Sequence, residues 1–110
     1  MNEELGKIRD VALGFEDHGI FGMNIDFDFG GSGQGTGWFY LKGDAGIEYI
    51  KRVMQTLSAD RFENIKGRTV FVIRDSDNKY AGRIIGFRTL PFEHGGSKTF
   101  LFEEVFGPLS

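Results

Sequence analysis

The stretch IFGMNIDFDFGGSGQGTG, at residues 20–37, decides how this chain folds, because two patterns meet in it. In the first, Ile25, Phe27 and Phe29 alternate with an asparagine and two aspartates. A period of two is typical of a strand that is apolar on one face and polar on the other. In the second, glycine fills every other position up to Gly37. We therefore predict a half-buried strand that is followed by backbone largely free of side chains.

The glycine segment, defined here as residues 30–38, carries the main functional hypothesis. Alternate residues of an extended chain share a face, so one face of this segment would consist of bare backbone. A flat ligand or another chain could approach it closely. The side chains in between, Ser32, Gln34 and Thr36, form hydrogen bonds, and the aromatic Trp38 follows. Together they favour a site for a planar, polar or phosphorylated small molecule. A hairpin loop that binds nothing is the alternative.

Periodicity and turn residues predict the elements around this stretch. Strands are expected at residues 7–13, 20–29, 38–41, 69–73 and 80–87, with polar turns at 16–19 and 75–78. Residues 99–106 are expected to form a last strand, or an arm that docks on a neighbouring subunit.

One main amphipathic helix is predicted after the third strand, with Asp44 as its N-cap. Its apolar residues recur at helical spacing, at Ile47, Ile50, Val53, Met54 and Leu57. A short second helical segment is expected at 58–65. The order β-β-β-α-β-β, with short turns, predicts an α+β fold in which the helix covers a twisted antiparallel sheet of five to six strands. The 110 residues imply a single domain, 1–110.

Composition narrows the classes of partner. The formal net charge of -3 argues against a long nucleic acid, because such footprints are basic. The chain has no cysteine, which rules out disulfides, zinc-thiolate sites and thiol catalysis. No apolar run is long enough to suggest a membrane span or a signal peptide, so a cytoplasmic protein without a membrane partner is expected. The 12 phenylalanines are many for a small core and hint at a homo-oligomer.

Sequence motifs for catalysis are absent. Neither G-x-x-x-x-G-K-[ST] nor G-x-G-x-x-G leading into a helix occurs, and Gln34 stands where a G-x-S-x-G nucleophile elbow needs its last glycine. We therefore expect no catalytic residue, no metal and no cofactor.

Two groups of charged residues leave alternatives open. Glu16, Asp17 and His18 stand side by side, which is compatible with a locally bonded turn, a ligand or interface contact, or acid-base chemistry. Asp26 and Asp28 share one strand face and repel each other. Solvation, an arginine from another strand or subunit, or a divalent cation would relieve that repulsion.

Arginine is the preferred partner of phosphate, because its planar fork bonds two oxygens at once. Arg83 and Arg88 flank apolar residues, so we expect them to be partly buried and choose them as phosphate contacts. Phe21 and Trp38 are candidates for stacking on a base.

Four stretches together carry a family resemblance: LGFEDHGIF at 13–21, GSGQGTG at 31–37, EYIKRVM at 48–54 and FENIKG at 62–67. In this order they resemble small phage-encoded proteins with a GFEDHGI…GGxGQGxGG signature. Within that set the chain is similar to the phage anti-Thoeris sponge proteins, which bind the cyclic ADP-ribose isomer made by a bacterial defence enzyme. Members are also associated with cyclic di- and trinucleotides.

The resemblance implies a phage anti-defence protein that sequesters a cyclic nucleotide signal without cleaving it. The ligand contacts expected for that function are His18, Phe21, Gly33, Gln34, Gly35, Thr36, Trp38, Arg83 and Arg88. One alternative is an anti-CRISPR-like inhibitor that covers a basic host surface with an acidic face including Asp26 and Asp28. Another is an enzyme that uses His18 with Glu16 or Asp17.

Overall fold

The computed structural model describes residues 2–76, 82–92 and 96–107. The strands are β1 (Asn2–Phe15), β2 (Phe21–Asp28), β3 (Gly33–Gly35), β4 (Phe39–Tyr40), β5 (Thr69–Arg74), β6 (Ile84–Arg88) and β7 (Thr99–Leu101). The helices are α1 (Gly43–Thr56) and α2 (Glu103–Phe106), with a 3-10 turn at Phe62–Asn64. The α+β class and the order of the main elements are confirmed. The end of the turn predicted at 75–78 and the start of the strand predicted at 80–87 lie outside the described residues.

One antiparallel sheet organises the described chain, in the order β3-β2-β1-β5-β6-β7, with β4 also paired to β2. Strand β1 is the longest and lies at the centre. Its residues 2–7 pair with β5, and its residues 7–15 pair with β2. The register shifts by one residue between Ile8 and Asp10, which marks a β-bulge. The prediction of 7–13 missed the start of β1, because the polar Glu3 and Glu4 do not alternate like a strand and are held by pairing with β5.

Helix α1 covers one face of the sheet. It buries Tyr49, Val53 and the following Leu57 against strand residues that include Ile25 and Phe27 of β2. The helix starts at Gly43 with Lys42 at the N-cap position. Asp44 therefore lies in the first turn, where its carboxylate interacts favourably with the helix dipole, and it is not the N-cap.

The C-terminal segment was only partly predicted. Residues 99–101 form β7, but 103–106 turn into the short helix α2, so the strand predicted over 99–106 is wrong in its second half. The change of direction places Phe102 and Phe106 against Tyr49, with ring centroids 5.6 and 5.2 Å away. These rings belong to the core of the same chain. The helical segment predicted at 58–65 is reduced to the 3-10 turn.

The hydroxyl of Tyr49 gives a testable energetic prediction. The residue is fully buried, the hydroxyl oxygen has no hydrogen-bond partner among the described residues, and burial raises its pKa. Because a buried hydroxyl without a partner is costly, Tyr49→Phe should raise the free energy of unfolding by about 1 kcal/mol. Urea denaturation measures this, and Tyr40→Phe is the control, since Tyr40 is 59% exposed. A loss of stability in Tyr49→Phe would contradict the prediction.

Candidate functional site

The glycine segment is partly a turn and partly a strand. Phe29 N–H donates to Ser32 O at 2.8 Å, which closes the turn after β2. Residues 33–35 then form β3, in which Gly33 lies opposite Asp28 and Gly35 opposite Asp26. Strand β3 is therefore an edge strand that lies on β2 rather than an unpaired loop.

The bare face of β3 exists, and polar side chains of β1 and β2 lie over it. A Cβ built on Gly33 would come within 3.0 Å of both terminal nitrogens of Arg9. One built on Gly35 would lie 2.8 Å from Asn24 Oδ1 and 2.9 Å from Asp26 Oδ1. Arg9 Nη2 in turn donates to Asp26 Oδ2 at 3.2 Å. An arginine from a neighbouring strand thus relieves the aspartate repulsion, as one of the hypotheses expected.

A basic hollow of about 260 Å³ opens beside this face, and three of its lining side chains are cations: Lys7, Arg9 and Lys66. Asp28, Ile8 and Gly67 complete the lining. The cations are accessible, since the Arg9 and Lys66 side chains are 52% and 62% exposed. We call this site the basic hollow.

The backbone near the bulge builds the basic hollow. Gly67 N–H donates to Ile8 O at 2.7 Å, and Ile8 N–H donates to Arg68 O at 2.8 Å, which holds the segment around Lys66 beside β1. The bulge follows directly, and Arg9 is its extra residue, without a Cα partner in β2. Sequence reasoning missed these cations. The only local signal is that Lys7 and Arg9 are two residues apart, which in a strand places them on one face.

Gln34 serves the interior of the fold rather than an open site. Its Oε1 accepts from Arg74 Nε at 2.8 Å, and its Nε2 donates to Gly82 O at 3.0 Å. Arg74 also pairs with Glu4 Oε1 at 2.8 Å, and its guanidinium lies 4.6 Å from the ring centre of Phe29. The Arg74 side chain is only 4% exposed. Both ends of the Gln34 amide are thus used within the chain.

Thr36 and Trp38 both pack against β2. Thr36 Oγ1 accepts from Ile25 N–H at 3.2 Å and donates to Gly37 O at 2.8 Å, so it fixes the end of β3. The Trp38 indole is half-buried and lies against Gly22. Its Nε1 has no hydrogen-bond partner in the part of the chain that the structure describes. Because positions 22, 24, 26 and 28 of β2 alternate onto one face, Trp38 shares that face with the bare side of β3.

His18 and Phe21 lie near the tip of the β1–β2 hairpin. His18 donates its backbone N–H to Glu16 Oε1 at 2.6 Å, and its Nδ1 lies 3.1 Å from Glu16 Oε2. The locally bonded turn is therefore present. Phe21 is 38% exposed and packs edge-on against Phe15, with ring centroids 5.3 Å apart. It also lines a cavity of about 230 Å³ with Ile47 of α1.

Arg88 and Arg83 differ in their surroundings. Arg88 is half-buried, as expected; it bonds Glu3 Oε1 at 3.0 Å and Oε2 at 2.7 Å, and lies 4.6 Å from the ring centre of Phe71. This hydrogen-bonded pair holds the pKa of the Glu3 carboxyl below its ordinary value. Arg83 is exposed, so the expectation of partial burial is wrong for it, because β6 begins only at the next residue. The buried arginine is Arg74.

The expected ligand contacts do not converge in one chain. Gly33, Gly35 and Trp38 lie next to the basic hollow, on the face of β2 and β3 that points away from α1. We call this the outer face. Phe21 lies on the opposite face, which α1 covers, and Arg88 lies on β6, three strands away from β2 in the sheet order. A ligand that touched all of them would have to bridge subunits.

Comparison with known proteins adds no relative. No family model matches the chain, and no significant match is found among curated proteins or among solved structures. The resemblance to phage sponge proteins therefore stays a prediction.

The described residues form neither a cluster of metal ligands nor a helix that could span a membrane. No group of three or more histidine and acidic side chains is arranged to hold a metal ion within residues 2–76, 82–92 and 96–107. In the same ranges, neither helix has the length and the apolar content needed to cross a bilayer.

Proposed function

We propose that this protein is a binding module that sequesters a cyclic nucleotide signal without cleaving it. The ligand class is a cyclic ADP-ribose isomer or a cyclic di- or trinucleotide, and the setting is phage anti-defence in the host cytoplasm. The protein acts as a homo-oligomer and needs no cofactor. The basic hollow beside the glycine strand is the observation that carries this proposal.

The charges of the basic hollow suit a phosphate. The chain as a whole is acidic, yet three cations, Lys7, Arg9 and Lys66, line the basic hollow, and Asp28 is the one carboxylate among its lining residues. Two of the cations have a carboxylate partner outside the lining, Asp26 at 3.2 Å from Arg9 and Asp10 at 3.8 Å from Lys66, and both pairs are partly exposed. Arginine offers a fork that matches two phosphate oxygens, and lysine adds a point charge. A bound anion could displace Asp26 from Arg9, because the ion pair between these two residues is partly exposed.

The shape of the site suits the remainder of a nucleotide. A volume of about 260 Å³ lies just below the roughly 300–1,000 Å³ of typical small-molecule sites. It would take the phosphate end and leave the base outside, above the outer face of β2. Gly33 and Gly35 let the Arg9, Asn24 and Asp26 side chains lie close to the backbone of β3, where they present donors and acceptors to a ligand. Trp38 lies on the same face as a stacking surface.

The lining of the basic hollow suits holding rather than cleaving. Its residues are three cations, one carboxylate, an isoleucine and a glycine, with no serine, threonine or histidine among them. Asp28 already accepts the backbone N–H of Gly30 at 2.9 Å. A general base paired with a nucleophile is therefore not among these lining residues.

Thermal unfolding with a panel of cyclic nucleotides tests the proposal. A ligand whose free concentration is one hundred times its dissociation constant stabilises the folded protein by about 2.7 kcal/mol. In a domain of this size this should raise Tm by roughly 10 °C or more. The double variant Arg9→Ala/Lys66→Ala should lose this rise. Arg61→Ala should keep it, because Arg61 is exposed and does not line the basic hollow.

Two results would overturn this function. No shift in Tm with any cyclic nucleotide would remove the binding hypothesis. Chromatography of the recovered ligand decides the second point, since an altered product would identify an enzyme.

The alternative of an inhibitor with an acidic docking face is less well supported by the geometry. Asp26 is paired with Arg9, and Asp28 lies directly opposite Lys7 in the register of β1 and β2. The outer face therefore mixes both signs of charge, which weakens attraction to a basic host surface.

A further inference from the structure

Strand β1 has a free edge at the centre of the molecule. Residues 7–15 pair with β2 on one side, but pairing with β5 on the other side stops at Lys7. The backbone of Ile8 still bonds residues 67 and 68. Beyond the bulge, no strand in the described ranges pairs with the outer side of residues 11–15. Unpaired strand edges of this kind are templates for another strand.

Alternation fixes which residues point outward along the free edge. Glu16 N–H donates to Ile20 O, toward β2. Counting back by twos, Gly14 and Ala12 also direct their backbone groups toward β2. Residues 11, 13 and 15 therefore direct their N–H and C=O groups to the open side.

The free edge is also apolar and exposed. Leu13 is 42% exposed and Phe15 is 75% exposed, and Phe15 touches the partly exposed Phe21. Ile47, at 62% exposure, extends the apolar surface through the cavity it shares with Phe21. Taken together, these side chains and Ile20 expose roughly 500 Å², at the upper end of the patches found on monomers. A stable interface buries roughly 800 Å² per partner, so the edge backbone and the side chains around the edge would supply the remainder.

The same edge carries both a projecting ring and a hollow that could receive it. Phe15 projects at one end. At the other end lies a hollow of about 280 Å³. Three of its lining residues are apolar, Val11, Phe62 and Ile65, and three are charged, Asp10, Glu63 and Lys66. A two-fold axis through the middle of the edge exchanges the two ends. Each copy would then place its Phe15 toward the hollow of the other, which is the self-complementarity that a symmetric dimer requires.

We propose that a second copy of this chain docks on the free edge, with its own β1 antiparallel and Ala12 opposite Ala12. In this register Val11 lies opposite Leu13 of the second copy, and Asp10 lies opposite Gly14. A register centred on Leu13 would instead set Asp10 against Glu16, two like charges. The two sheets would join into one continuous sheet. This inference rests on the proposed self-association and not on the ligand.

A cross-link tests the register directly. The chain has no cysteine, so Ala12→Cys introduces a single thiol. Positions directly opposite in a non-hydrogen-bonded antiparallel pair have Cα atoms about 4.5 Å apart, within the range of a disulfide. We expect a cross-linked dimer under mild oxidation. Ala45→Cys, on the exposed surface of α1, should stay monomeric on the same non-reducing gel.

Sedimentation measures the contribution of the apolar edge. Phe15→Lys should raise the dimer dissociation constant by about 30-fold or more, as for an aromatic residue that fills a pocket of the partner. Leu5→Lys should leave it within about threefold, because Leu5 is 53% exposed but lies in the part of β1 that pairs with β5. Circular dichroism checks that both variants fold.

Two outcomes would overturn the inference. One is a wild-type protein that sediments as a monomer at 100 µM. In that case the free edge either has no partner or binds a host protein. The other is a dimer that neither cross-links through Ala12→Cys nor weakens in Phe15→Lys. Ligand binding is read separately from Tm, so failure of the interface and failure of the proposed function are distinguishable.

Discussion

Replacing Arg74 with alanine should lower the free energy of unfolding by about 3 kcal/mol, the lower end of the cost of removing one partner from a buried ion pair. Arg74 is almost fully buried and bonds both Glu4 and Gln34 while lying over Phe29. Its removal would leave the Glu4 carboxylate and the Gln34 carbonyl without their donor. The lower end applies because the Glu4 side chain is 30% exposed and water can replace part of the pairing.

Urea denaturation of Arg74→Ala measures the loss, and a fall in Tm of roughly 15 °C should accompany it. Arg88→Ala is the matched control. Arg88 also pairs with a glutamate and lies over an aromatic ring, but its side chain is 27% exposed. Its truncation should cost about 1 kcal/mol or less, as for other partly solvated ion pairs. Equal losses in the two variants would show that burial of Arg74 adds nothing.

Sequence reasoning predicted the elements whose signal is local. The alternation in β2 and the apolar run in β5 each follow from neighbouring residues. The amphipathic pattern of α1 likewise requires only its own spacing. Tertiary pairing, in contrast, sets the ends of β1 and the fate of residues 99–106. The apolar residues at 99–106 are compatible with one continuous strand and equally with a short strand followed by a helix.

The candidate site was only partly predictable, for the same reason. The alternating glycines indicated a face that other groups approach closely, and the groups that do so in the structure are Arg9, Asn24 and Asp26 of the same chain. Trp38 lies on the same side of β2. The basic hollow, however, joins Lys7 and Arg9 to Lys66, far away in sequence, through the hydrogen bonds of Gly67 and Ile8. The spacing of Lys7 and Arg9 is the one local signal, and the approach of Lys66 leaves none in the sequence.

The pairing of Gln34 with Arg74 shows a second limit. A glutamine between glycines near a tryptophan favours a ligand contact on chemical grounds. The partner that occupies it is 40 positions away. The fold brings β3 to the end of β5 although two strands, β2 and β1, lie between them in the sheet order. Sequence alone therefore does not distinguish a polar side chain that bonds within the fold from one that stays accessible to a ligand.

Gly22→Ala should have the second largest effect, because the new methyl group would collide with both a side chain and the backbone. A Cβ at this position would lie 2.2 Å from Trp38 Nε1 and 2.4 Å from the backbone oxygen of Phe39. The indole can swing away, but the oxygen belongs to β4, which pairs with β2 at this point. We expect a loss of about 3 kcal/mol, at the upper end for overpacking.

Fluorescence reports directly on the change at Gly22, since Trp38 is the only tryptophan in the chain. In Gly22→Ala the emission should shift to longer wavelength as the indole leaves its half-buried position. Gly31→Ala is the control, because a Cβ there meets nothing within 4 Å and its φ is not in the left-handed region. That variant should keep both its emission and its stability. Unchanged emission in Gly22→Ala would mean that β4, rather than the indole, yields to the new methyl group. Trp38 would then be held in place by more than its contact with Gly22.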